Sequence, residues 1–252
     1  VMYDHASEAV WAYRVGKKKQ PAWLLHAILH DLNEAGYATC RICIRSDGEA
    51  AIKRVKDEII KARDGPTVPQ ESPVKESKCN GRMEQAIQAL EGQMRTYMLA
   101  LRDETGVKLH PRSRAYNYML NWTCTVLSRY RMTSWGKTPF QMITGHQCQR
   151  PVTAFGTPVL FKKTLKDSER DKGESDWGEG IFLGIKWRTS EAIIATPDQM
   201  ILCRTVRVNP DKRAATEDDL SNIPESIVEF LYSHKGSDDQ DGSDEPNRED
   251  NE

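Results

Sequence analysis

Asp4, Asp47 and Glu84 are the residues of this chain whose type and spacing suit joint chemistry. Asp4 closes the short run Val1-Met2-Tyr3, Asp47 follows the apolar run 37–44, and 36 residues separate Asp47 from Glu84. In α/β sheets, residues just past strand ends gather at one edge. A helix packed on such a sheet adds a carboxylate from its first turn. Carboxylates gathered this way are hard oxygen ligands, the kind Mg²⁺ takes while keeping positions open for a phosphate. Two such ions about 3.5–4 Å apart activate an attacking oxygen and stabilise a leaving one. Taken singly, each acid has a plainer role. Asp4 is a surface turn acid, Asp47 before Gly48 is another, and Glu84 is a helix-start charge that suits the dipole. Glu49 adds a fourth acid, which reads as a solvated charge at a helix start.

The elements that must position these acids can be read from periodicity. Residues 1–4 and 9–15 read as two strands around a short polar turn. Pro21 suits a helix start, and Trp23, Leu24, Ala27, Ile28, Leu32 and Ala35 recur at helical spacing before Gly36. Residues 37–44 form a third strand, and a helix of about four turns runs on to Gly65. Strand–helix–strand–helix order predicts an α/β domain. Residues 66–79 read as a Pro-, Ser- and charge-rich loop. A long helix then starts near Asn80, with Met83, Ile87, Leu90, Met94, Met98 and Leu101 on one stripe, and another covers about 112–132. From Pro151 the pattern turns to short strands parted by Gly and Pro, at 158–162, 180–185, 192–195 and 200–208. That predicts a small all-β domain, a twisted barrel or sheet. A last short helix is expected within 223–232.

Charge points to a polyanionic partner. The net charge of −1 hides an asymmetry. Residues 105–166 hold no Asp or Glu but ten cations: Lys108, Arg112, Arg114, Arg129, Arg131, Lys137, Arg150, Lys162, Lys163 and Lys166. Residues 235–252 hold eight acids against Lys235 and Arg248, a balance of −6, so the remainder, −1 less −6, carries +5. Ordinary surfaces mix both signs, so we read the acid-free stretch as a phosphate-backbone contact. Lys108, Arg112, Arg114, Arg129, Arg131 and Lys137 are its candidate nucleic-acid-binding residues. Its aromatic residues, Trp135 among them, mostly fit a core periodicity. The acidic segment reads as a solvated, disordered tail. Mean hydropathy is −0.66, and no apolar run approaches 18 residues, which excludes a helical membrane span. Six cysteines without a secretory signal read as reduced intracellular thiols.

His26 and His30, followed by Cys40 and Cys43, mimic a zinc-ligand order. Two Cys three apart on one strand point to opposite faces, and a zinc knuckle needs a turn between them. We therefore read a satisfied helix His pair and two core thiols, and expect folding without zinc.

Several strings together resemble copia-type retrotransposon integrases. Arg45-Ser46-Asp47-Gly48-Glu49 resembles that family's R-S-D-N-G segment, and Asn80-Gly81-Arg82-Met83-Glu84 its N-G-x-x-E helix start. Tyr3-Asp4, with the strand through Trp11 and Tyr13, resembles the first-acid strand. Thr138-Pro139-Phe140 with Thr144-Gly145, then Phe155-Gly156 and Ile181-Phe182-Leu183-Gly184, resemble its trailing region. The likeness covers about residues 1–208. No Asn follows Asp47, and the family's zinc-binding N-terminal domain is not among these residues. The resemblance implies an RNase H-like mixed sheet with flanking helices at 1–135, N-terminally truncated. A connector at 136–150, the small β-rich domain at 151–212, and a short helix with the acidic tail at 213–252 would follow. It implies a homo-oligomer acting on DNA in the nucleus, with Mg²⁺ or Mn²⁺ held by Asp4, Asp47 and Glu84. The activity implied is a polynucleotidyl transfer in which a DNA 3′-hydroxyl attacks a target phosphodiester. Asn80 and Gly81 would shape the helix start beside the site. A catalytically inactive DNA-binding module of the same fold is the alternative.

Overall fold

The computed structural model describes residues 1–16, 21–46, 49–71, 81–163, 175–212 and 214–232. Asp47, Asn80, Lys166 and the acidic segment lie outside them. The chain is mixed α/β. Strands β1 (Met2–Tyr3) and β2 (Val10–Trp11) form an antiparallel hairpin. Helix α1 (Ala22–Glu34) follows Pro21, and Gly36 at φ 80° lets the chain turn back beyond it. Strand β3 (Ile42–Ser46), helix α2 (Ala50–Ala62) and strand β4 (Thr67–Glu71) make a β–α–β unit. In it β3 and β4 pair in parallel from Ile42↔Thr67 to Ser46↔Glu71.

Strand β4 corrects the sequence expectation, which made 66–79 a loop. Pro69 lies inside the strand, and proline hides strands because it cannot donate to a ladder. A two-stranded sheet consists of edges, where proline is tolerated. The junction is tied by Arg63, which is buried and donates to the carbonyls of Tyr37, Cys40 and Gly65 and to Thr67 Oγ1.

Helix α3 (Gly81–Thr105) is the long helix expected, and α4 (Arg114–Tyr130) follows with Ser113 capping Tyr116 N–H. Thr138 caps the short α5 (Pro139–Thr144), with Pro139 in its first turn and Gly145 in the left-handed region after it. The remaining strands are β5 (Pro158–Lys162), β6 (Trp177–Ile185), β7 (Ala192–Ala195), β8 (Met200–Cys203) and β9 (Val206–Val208). They form an antiparallel sheet in the order β8-β7-β6-β5-β9. A Cβ on Gly180 would sit 2.4 Å from Ile194 Cγ2, so only glycine allows β6 and β7 to approach as they do.

Among the described residues the strands thus lie in three separate sheets, rather than in one mixed sheet spanning β1 to β4. The five-stranded sheet does not close on itself. Phe161, Phe182, Leu183, Ile185 and Ile193 share one core with Met94 and Leu101 of α3 and with Tyr118, Met119 and Trp122 of α4. That core continues into Leu220 of α6 (Glu217–Ser221) and into Ile223 and Ile227. Thr216 and Asp219 form a capping box at α6, a spacing visible in the sequence although no helix was expected there. The expected last helix is a π-helical turn, Val228–Tyr232, packed on α1.

Candidate functional site

Local hydrogen bonding builds the hairpin turn that carries Asp4. Asp4 N–H donates to Ala9 O at 2.9 Å and Glu8 N–H to Asp4 O at 2.8 Å, with Glu8 at φ 64°. The Asp4 carboxylate accepts four donors. Oδ1 takes Ala6 N–H at 3.0 Å; Oδ2 takes Ser7 N–H at 3.2 Å, the Ser7 hydroxyl and the Tyr37 hydroxyl at 2.7 Å. Burial, then this bond to Asp4, pushes the Tyr37 phenol well up. A carboxylate offers about four lone-pair sites. Oδ1, with one bond to a described donor, keeps a lone pair; Oδ2 is saturated.

Glu84 lies exposed in the first turn of α3. The hairpin and the start of α3 pack together through Tyr3, Val10, Ala86 and Leu90. The structure therefore brings two of the three predicted acids onto adjoining elements. Asp47, beyond the end of β3, lies outside the described residues. Among those residues, no group of three or more His, Cys, Asp or Glu side chains is gathered as for a metal ion.

Tyr3 marks the centre of this region. Its phenol is pushed up by burial first and then by Glu8, while Arg82 and Arg131 act in the opposite sense. The carboxylate of Glu8 lies 4.0 Å from Arg131 and accepts from Ser134 Oγ at 3.4 Å. That places the loop 131–138 beside the hairpin turn. The loop is held from within: Thr133 N–H and Oγ1 both donate to Lys137 O, at 2.9 and 2.7 Å, and Trp135 N–H donates to Thr133 Oγ1. Gly136 at φ 71° completes the turn. So fixed, the loop shows Trp135, 70% exposed, and Lys137 to solvent. Trp135 is the residue that sequence reasoning missed. Its neighbours Ser134, Gly136 and Lys137 were the signal, because a tryptophan inside a polar turn has no helix or strand face to fill.

The candidate basic residues divide in two. Lys108, Arg112 and Lys137 are exposed, and Arg131 is half-buried against Glu8. Arg114 is exposed, but its guanidinium donates to the carbonyls of Ile223 and Pro224 at 2.6 and 2.7 Å. Arg129 is a correction. It is 1% exposed and donates to Ser190 Oγ at 2.9 Å and to the carbonyls of Lys186 and Trp187. Its guanidinium carbon lies 4.0 Å from the Phe140 ring centre. Burial lowers its pKa. It clamps α4 to the β6–β7 turn and faces no solvent from which to meet a phosphate. The acid-free stretch grouped it with Arg131, but two residues apart at the end of α4 the two side chains face different surroundings. Arg150 is likewise tied, to Ser190 O. The acid-free stretch is therefore not one continuous basic face.

The zinc-like set is also placed. Cys40 precedes β3 rather than lying in it, and both Cys40 and Cys43 are exposed, which corrects the expectation of two core thiols. His30 Nδ1 lies 3.3 Å from Asp31 Oδ1, and its ring packs edge-on against Tyr232. Asp31 is buried and also accepts the hydroxyls of Tyr13 at 2.7 Å and Tyr232 at 3.3 Å.

No protein-family model matches the chain, and no curated protein matches it. Among solved structures, the cryo-EM structure of the simian T-cell lymphotropic virus intasome in complex with PP2A regulatory subunit B56 gamma is similar. The match covers 79% of this chain and 66% of that one, at 15% identity and a TM-score of 0.37. So distant a likeness assigns neither family nor fold. No helix among the described residues is long and apolar enough to cross a membrane.

Proposed function

We propose that this chain acts on DNA as an integrase-type polynucleotidyl transferase with an RNase H-like core. The observation that carries the reading is that the Asp4 hairpin packs on the first turns of α3 and, through Glu8, holds the loop after α4 at Arg131 and Ser134. Cations on the backbone supply affinity without sequence choice, and an exposed tryptophan offers a stacking face for an unpaired base. Together they would hold a phosphodiester next to acids. Asp4 through Oδ1 and Glu84, joined by Asp47, would supply oxygen donors of the kind Mg²⁺ or Mn²⁺ prefers. A bound divalent ion would supply Lewis-acid activation of the attacking hydroxyl and charge stabilisation at the phosphate. The chain's own part is to position the strand and, as a homo-oligomer, to bring two DNA segments together in the nucleus.

A second reading is a catalytically inactive DNA-binding module. The saturated Oδ2 of Asp4 favours it, because a carboxylate spent on its own turn is a poorer ligand. One experiment separates the two: DNA 3′-end joining with Mg²⁺ or Mn²⁺ titrated, for the wild type and Asp47→Asn. The transferase reading requires metal-dependent joined product that Asp47→Asn abolishes while salt-sensitive binding persists. Binding without product at any metal concentration supports the module and refutes the enzyme.

A further inference from the structure

Away from the hairpin, an open groove of about 550 Å³ runs along the end of the five-stranded sheet. Its walls include Arg150, Arg204, Arg207, Thr189 and Ser190. Strand β9 ends the sheet, and its Val208 is 65% exposed. Arg207 stacks 4.8 Å from the Trp177 ring centre, which stiffens its side chain. Arg204 is exposed, and its Nε lies 3.4 Å from Glu191 Oε1. Arg204 and Arg207, exposed beside the edge strand, suit an extended acidic peptide: strand addition draws affinity from main-chain hydrogen bonds, and side chains add selectivity.

We infer that this groove is the docking site of the chain's own acidic segment, residues 236–252, which shields Arg204 and Arg207 when no other polyanion is bound. The inference does not depend on the transferase reading. Charge complementarity is direct, since the segment carries eight acids and one arginine. Reach is sufficient. The 20 residues after Tyr232 span up to ~66 Å when extended. A globule of this size is on the order of 45 Å across, from a radius of gyration of about 17 Å. Tethering favours this occupant over a free polyanion, because a flexible link gives an effective concentration in the millimolar range. Against a sub-millimolar intrinsic affinity, that concentration protects the bound edge about tenfold.

The test is hydrogen exchange at the amides of Val206 and Val208, which face away from β5, in the full chain. It compares the wild type with a variant whose eight tail acids are Asn or Gln, and with Arg204→Gln/Arg207→Gln. Exchange at β9 should speed up about tenfold in both variants, while the amides of β6 and β7 stay protected. That second readout shows that the sheet remains folded. Unchanged β9 exchange in the neutralised-tail variant overturns the inference. So does a wild-type chain in which a DNA duplex added at low salt is needed before β9 becomes protected, since the groove would then belong to nucleic acid.

Discussion

Replacing Arg129 is the sharpest test of how the basic residues are divided. Arg129→Ala removes a buried guanidinium that donates to Ser190 Oγ and the carbonyls of Lys186 and Trp187, and that rests on the Phe140 ring. Hydrogen bonds from a charged donor contribute about 1.5–3 kcal/mol each, and a desolvated cation–π contact about 2 kcal/mol. Burying the guanidinium costs several kcal/mol in return. What remains is the penalty of unpaired acceptors plus a cavity, about 3–5 kcal/mol. For a chain of this size, ~2–4 °C per kcal/mol puts the fall in melting temperature at ~6–20 °C. Arg129→Met keeps most of the volume and should lose roughly half as much, because only the unpaired acceptors remain. Differential scanning calorimetry reads both. A melting temperature for Arg129→Ala within about 2 °C of wild type would refute the clamp. A DNA-binding loss with stability intact would return Arg129 to the nucleic-acid interface.

The exposed loop should behave in the opposite way. Trp135→Ala should leave the melting temperature unchanged and weaken single-stranded DNA binding by ~1–3 kcal/mol, the worth of one stacked base; equal affinity by fluorescence titration would remove Trp135 from the interface. Lys137→Ala should lower the slope of log affinity against log salt by ~0.7–0.9, where an unchanged slope counts against it. Alkaline pH should destabilise the fold through the tyrosines on Asp31. Burial first, then the charge of Asp31, raises the Tyr13 and Tyr232 phenols well above 10. Phenols whose pKa is raised on folding give stability that is complete below pH about 10 and is lost as the pH rises past it. Urea melts between pH 8 and 11.5 should therefore fall in midpoint above pH 10, with a shallower fall in Tyr232→Phe. A flat profile would show that neither phenol is held neutral by the fold.

Local pattern alone was enough for much of this protein. The helical stripes of α1, α3 and α4 were legible because apolar residues recur with the period of the helix, and the ends of α1 at Pro21 and Gly36 because their backbone demands are local; the short α5 was not read from the sequence. Four of the later strands could be read from apolar runs between Gly and Pro. Strand β4 was not legible, since Pro69 removes the very donor a strand is recognised by, and only pairing with β3 across α2 made it a strand. The division of the arginines was also hidden. Arg129 and Arg131 look alike in sequence, yet one is buried because the β6–β7 turn, some sixty residues away, brings carbonyls over it. The turn that spends Asp4 on Ser7 and Tyr37, and the tight loop that leaves Trp135 in solvent, depend on packing between distant segments. Side-chain type and spacing set which residues can bind or react; burial, which only the folded chain confers, decides which of them face a partner.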